Sequence, residues 1–177
     1  MAVGLHAQPS QSVGDHPQMG RPFQGGIVFW LTPDGKHGLI AATSDQSAQG
    51  LPWVPSAMTE TGARSDSVYA GWENTVRIIG KLGTGGPYAA RICGELKVVT
   101  NGIVYDDWYL PSKEELNHLF RARNTVGGFN QVSGLYWSST ESSSSPAGMA
   151  WEQEFRYGQQ LEDDKDMPNQ VRCIRKF

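Results

Sequence analysis

The sequence predicts an α+β fold, with two main helices between an N-terminal β-hairpin and a β-rich C-terminal half. Three observations carry that class. Strand-sized apolar runs at 25–32 and 37–43 flank the turn sequence Pro33-Asp34-Gly35-Lys36. Helical spacing follows twice, through Trp72, Val76 and Ile79 and again through Leu116, Leu119 and Phe120. The last part of the chain alternates short strand-like runs with breaks rich in Gly, Ser and Asp.

Residues 1–22 hold Gly, Pro, Gln and Ser without apolar periodicity and read as a flexible tail; small Ala7, after an apolar start, reads as the cleavage point of a signal-peptide remnant. The domain is therefore expected over 23–177. Segment 45–67 is polar, with Trp53 flanked by Pro52 and Pro55, so a long loop anchored by one buried aromatic is expected. Gly83 to Pro87 ends the first helix, a short second one covers 88–96, and Asn101-Gly102 turns the chain. Pro111 pushes Leu110 to extended geometry, and Ser112 with Glu115 makes a capping box, so an extended segment must turn abruptly into a helix. Gly127-Gly128-Phe129 closes the helical region. Strands are then expected at 135–140, 149–155 and 170–177, separated by a small-residue loop at 142–148 and a polar loop at 157–169. Trp108, Trp137 and Trp151 sit beside apolar neighbours and read as core or near-core residues.

A chain of 177 residues suits one domain, and its 21 glycines, 10 prolines and 6 tryptophans suit irregular β-rich structure with an aromatic core. A net charge of −3 without a run of Lys or Arg gives no footprint for nucleic acid. No apolar run approaches the roughly 20 residues of a membrane-spanning helix, so membrane insertion is not expected. Cys93 and Cys173 have no metal-ligand spacing; a disulfide and two buried thiols both remain open readings. His6, His16, His37 and His118 have no nucleophile or acid spaced with them. No Gly-x-Ser-x-Gly elbow is present, and Gly83-Thr84-Gly85-Gly86 lacks the Lys-Ser/Thr of a phosphate loop.

Four separated motifs arrive in a fixed order: Gly25-Gly26-Ile27-Val28-Phe29-Trp30, His37-Gly38-Leu39-Ile40-Ala41-Ala42, Trp108-Tyr109-Leu110-Pro111-Ser112-Lys113-Glu114-Glu115-Leu116, and Val171-Arg172-Cys173-Ile174-Arg175. With Tyr136-Trp137-Ser138-Ser139-Thr140 between the last two, they resemble the C-terminal domain family of the Legionella collagen-like adhesins, a branch of the C-type-lectin-like superfamily. The Leu-Pro-Ser-x-x-Glu element is also similar to one in the formylglycine-generating-enzyme fold. The resemblance implies that first and last strands pair to close the domain, that the protein works at a cell surface as a homotrimer, and that it attaches to glycosaminoglycan or host surface. The chain departs from the family in lacking a Gly-x-y collagen region, and its acidic balance removes the driving force for sulfated polysaccharide.

Between the fixed motifs lie the candidate ligand-binding residues: Ser142, Ser143, Ser144, Arg156, Tyr157, Gln159, Gln160, Glu162, Asp163, Asp164, Lys165 and Asp166. Their amphipathic and hydrogen-bonding side chains, carried by loops on a rigid frame, suit recognition of a polar ligand. Asp163, Asp164 and Asp166 are weak calcium candidates, since the loop lacks the glycine and terminal glutamate of an EF-hand; no other cofactor is implied. A local basic patch from Arg156, Lys165, Arg172 and Arg175 is a further expectation. The expected function is non-catalytic recognition of a surface glycan or protein receptor by a secreted, bacterial or phage-associated adhesin-like module. Resemblance offers three alternatives: a variable receptor-binding protein diversified by a retroelement, a formylglycine-generating-like oxidase, and a structural subunit of an appendage.

Overall fold

The computed structural model describes residues 16–130 and 134–177. In chain order its elements are β1 (Pro22–Phe23), β2 (Gly26–Leu31), β3 (Gly38–Ala41), α1 (Gly71–Leu82), α2 (Ala89–Gly94), β4 (Val98–Thr100), β5 (Ile103–Tyr105), α3 (Lys113–Arg121), α4 (Arg123–Val126), β6 (Leu135–Glu141), β7 (Met149–Glu154), β8 (Gln160–Asp164) and β9 (Ile174–Lys176). The α+β class holds. Most of the expected tail and signal remnant, residues 1–15, lies outside the described residues. Gly20 already donates its N–H to the Val28 carbonyl at 2.8 Å.

Three antiparallel sheets carry the strands, in the orders β1-β2-β3-β9, β4-β5 and β6-β7-β8. The last strand pairs with β3, Leu39 opposite Lys176 and Ala41 opposite Ile174, and not with the first strand as the resemblance implied; β1 occupies the far edge of the same sheet. β3 is buried along its whole length because it divides two cores. Ile40 and Ala42 face one core with Trp53, Trp108, Leu110 and Trp137, while Leu39 and Ala41 face the other with Tyr109, Leu116, Leu119 and Tyr136. Alternation along an extended strand puts successive side chains on opposite faces, so an unbroken apolar run is what a strand between two cores requires.

The capping box forms as the spacing demands. Ser112 Oγ accepts the Glu115 N–H at 3.2 Å, and Glu115 accepts the Ser112 N–H at 2.8 Å. The buried Glu115 carboxylate also accepts the N–H groups of Tyr69 and Gly71 and the Tyr109 hydroxyl, which ties the long loop to the helix. Burial pushes its pKa up although these donors pull the other way.

Cys93 and Cys173 form a disulfide with 5.3 Å between their Cα atoms, joining α2 to the chain entering β9. That resolves the two readings of the cysteines in favour of the bridge. Trp108 and Trp137 are fully buried, whereas Trp151 is only half-buried and corrects the core assignment made for it. The expected polar loop at 157–169 also needs correction, because Gln160–Asp164 pairs with β7 from Gln153↔Gln160 to Met149↔Asp164.

Candidate functional site

β6 supplies the floor of the candidate site through buried hydroxyls and carboxylates. Ser138 Oγ donates to the Trp151 carbonyl at 2.7 Å, and Thr140 Oγ1 accepts the Lys113 N–H at 3.0 Å. Gln160 Nε2 donates to the Lys113 carbonyl at 2.9 Å. Lys113 is thus held by its backbone between β6 and β8, and its ammonium lies 3.1 Å from the centre of the Trp151 ring. Register places Trp151 directly opposite Glu162, so the two share one sheet face. Ser144 Oγ donates to the Glu162 carboxylate at 3.1 Å, and the 142–147 loop is drawn onto the same face.

The turn between β7 and β8 displays Arg156 and Tyr157. Glu154 accepts the N–H of Arg156 at 2.8 Å and that of Tyr157 at 2.5 Å, which fixes the turn without using either side chain. Gly158 follows with φ 85°, and a Cβ there would lie 2.3 Å from the Phe120 ring, so this position must be glycine on both counts. The result is a Tyr157 that is 70% exposed, with the Arg156 guanidinium 4.8 Å over its ring. Arg and Tyr are the residue types that dominate recognition energetics, and a pinned backbone lowers the ordering cost of binding.

The remaining candidates separate into displayed and structural groups. Ser143, Ser144, Gln159, Asp164 and Asp166 are exposed. Gln160, Glu162 and Asp163 are half-buried, each with an internal hydrogen bond. Ser142 is buried; its Oγ accepts the N–H groups of Ser144 and Ser145 at 3.1 and 3.0 Å and shapes the loop from within.

Lys165 is a correction. Its side chain is fully buried, with Nζ bonded to the Glu141 carboxylate at 2.6 Å, the Pro146 carbonyl at 2.7 Å and the Thr59 carbonyl at 2.9 Å. An ammonium has three N–H donors, and here all three are engaged. Burial lowers its pKa, against the opposing pull of Glu141. Glu141 also accepts the N–H groups of Thr61 and Gly62, so the pair staples the long loop to the sheet.

The expected basic patch does not assemble. Arg172 is buried, paired with Asp45, bonded to the carbonyls of Ala42, Gly127 and Gly128, and stacked on Phe129. Arg175 is 7% exposed and makes two bonds to Asp107, at 2.6 and 2.8 Å. Of the four basic residues only Arg156 is displayed.

The calcium candidates are divided rather than gathered. Asp163 and Asp164 are neighbours on β8, so their side chains point to opposite faces. Asp163 faces the cross-strand side of Glu152, and Asn169 Nδ2 donates to both carboxylates, at 2.5 Å to Glu152 and 3.0 Å to Asp163. Burial and the neighbouring Asp163 push the Glu152 pKa up to about 7. Among the described residues no group of three or more His, Cys, Asp or Glu side chains is placed to hold a metal ion.

Sequence reasoning missed Trp151 and Lys113 as surface residues. The available signal was the alternation of β7, which puts Trp151 on the face opposite Ala150 and Glu152. Among the described residues no helix is long and apolar enough to cross a membrane. The Lcl C-terminal domain family matches residues 42–175, a span that includes the whole of the β6-β7-β8 sheet. No curated protein matches the chain.

Proposed function

Because the chain belongs to the Lcl C-terminal domain family, we propose that it is a secreted, non-catalytic recognition module of the adhesin type, which binds a surface glycan or protein receptor along the β7–β8 edge. The observation that carries this reading is the Arg156-Tyr157 turn, whose backbone is fixed by Glu154 while both side chains project without an internal hydrogen bond. The Trp151 ring with its Lys113 partner extends the same surface toward Ser144 and Glu162. Aromatic faces flanked by hydroxyl and carboxylate groups suit a polar ligand with an apolar face, as a sugar ring has.

A secreted location agrees with the disulfide, since such bridges persist in oxidising compartments. Both cysteines of the chain are in that bridge and are fully buried, which argues against a reactive thiol of the oxidase kind. A second reading, a variable receptor-binding protein, draws on the same split between a bonded frame and displayed positions such as Tyr157 and Gln159, which can change without emptying the core. Homotrimeric assembly belongs to the family reading and is tested by mass in solution.

The direct test is an array of glycans and host-surface proteins, probed with and without calcium, followed by Tyr157→Ala and Arg156→Ala against any hit. The expected loss is about 1–3 kcal/mol of binding for each. Binding that survives both changes together places the ligand elsewhere and removes this reading.

A further inference from the structure

A concavity of about 640 Å³, lined by Thr32, His37, Tyr69, Asp107, Lys176 and Phe177, shares no residue with the β7–β8 edge. Its volume falls within the roughly 300–1,000 Å³ of small-molecule sites. One wall is held in an unfavourable conformation. Tyr69 has φ 72°, a left-handed backbone that a bulky residue rarely adopts, and its N–H is fastened to the buried Glu115 carboxylate at 2.8 Å. Its ring meets Trp30 edge-on with centroids 5.8 Å apart. The hydroxyl is shielded from solvent and has no hydrogen-bond partner, a condition that costs about 1–3 kcal/mol and calls for an explanation.

The polar groups around this pocket sort by what they still have to offer. The acceptors are engaged: Asp107 with Arg175, and Asp34, on the adjoining turn, with the Thr32 hydroxyl at 2.5 Å and the Lys36 N–H at 3.1 Å. Thr32 Oγ1 in turn accepts the His37 N–H at 3.2 Å. Among the described residues the Lys176 ammonium has no partner and the His37 imidazole makes no hydrogen bond. Burial, with Glu115 and Asp34 nearby, pushes the Tyr69 pKa up, so its phenol stays protonated and remains a donor. The Lys176 ammonium and the Tyr69 hydroxyl are thus unengaged donors, beside an apolar wall of Phe177 and the Tyr69 ring.

We infer that this pocket binds a small amphipathic carboxylate, with its apolar body against Phe177 and Tyr69 and its carboxylate toward Lys176 and His37. Charge-assisted hydrogen bonds to a carboxylate are about twice as strong as neutral ones, and the Lys176 ammonium and the His37 ring both stand at the exposed rim, where a ligand can reach them without unfolding anything. A neutral ligand of the same shape would leave the donors of this site underused.

The test is a titration of the whole chain, followed by amide and side-chain NMR, with 3-phenylpropionate, its neutral amide, and glucuronate. The expected result is saturation by phenylpropionate at millimolar concentration, shifts centred on His37, Tyr69 and Lys176, and amide binding at least about tenfold weaker. Lys176→Gln, a surface change, should weaken the acid by about fivefold or more and leave the amide unaffected. Equal binding of acid and amide, shifts that centre outside the pocket, or no saturation by the acid overturns the assignment. Preference for glucuronate overturns the apolar body specifically.

Discussion

Arg156 and Lys165 flank the same strand, β8, in equally polar sequence, and they end in opposite surroundings. Lys165 is fully buried with three oxygen partners and the Trp53 ring 4.2 Å from its ammonium; Arg156 is exposed and touches only the ring beside it. The difference teaches that charge and loop-like composition do not decide exposure. What decides it is whether the fold delivers acceptors for every donor, because an ammonium leaves water only when its hydrogen bonds are replaced. Thr59 comes from the long loop and Glu141 and Pro146 from the end of β6 and the loop after it, so the replacement exists only after folding. The recognition surface is then what remains once such staples have been subtracted.

The strongest way to break this contrast is Lys165→Met. Removing the ammonium leaves the Glu141 carboxylate buried beside the apolar replacement, so the variant should lose about 3–5 kcal/mol in urea unfolding. Arg156→Met, the matched change at the other end of the strand, should leave the unfolding midpoint almost unmoved. Equal losses at the two positions would mean that the buried pair is not the staple described.

A middle-sized effect belongs to the acids under the same strand. Glu152 keeps its proton in the folded protein up to about pH 7, whereas an unfolded glutamate releases it near 4.5. Its contribution to stability is therefore complete below about pH 4.5 and is lost as the pH rises through 7, where a second negative charge appears against Asp163 beneath Asn169. Glu115 and Asp45, whose pKa values are also raised by burial, act in the same direction. The fall assigned to Glu152 should be about 1–2 kcal/mol, allowing for screening by solvent. Glu152→Gln should flatten that part of the profile; an unchanged slope in the variant would place the titration elsewhere.

The parts that were legible in sequence are those set by neighbours in the chain. Ser112 and Glu115 lie three residues apart and cap their own helix; Pro33-Asp34-Gly35-Lys36 turns one strand onto the next. Tyr157 and Arg156 were picked out by the same polar, loop-borne composition as Lys165, and that composition did not separate the displayed pair from the buried lysine. β8 escaped because Leu161-Glu162-Asp163-Asp164 lacks an apolar face: the side toward Glu152 is closed by Asn169 through hydrogen bonds instead of packing. The Cys93–Cys173 bridge spans 80 residues and the Lys165–Glu141 pair 24, separations at which no local pattern distinguishes a partner from a bystander. Trp151 was misjudged for a related reason, since residue type alone favours the core and only the register of β7 turns its ring outward.

The smallest expected effect sharpens the comparison from the exposed side. Tyr157→Ala should change stability by no more than about 0.5 kcal/mol, because the turn is fixed by Glu154 accepting backbone N–H groups that alanine retains. Glu154→Ala, by contrast, removes the acceptor and leaves both side chains in place, so it should loosen the turn without altering its chemistry. The useful measurement is the pair together, urea unfolding for stability and amide hydrogen exchange at Arg156 and Tyr157 for local order. In the Tyr157 variant both readings should stay near the parent, whereas in the Glu154 variant exchange at these two amides should speed up while the global midpoint moves little. Fast exchange already present in the parent would show that Tyr157 is displayed on a mobile turn, and the case for a preorganised recognition surface at this edge would fail. Slow exchange that survives Glu154→Ala would instead assign the rigidity to Gly158 seated against Phe120.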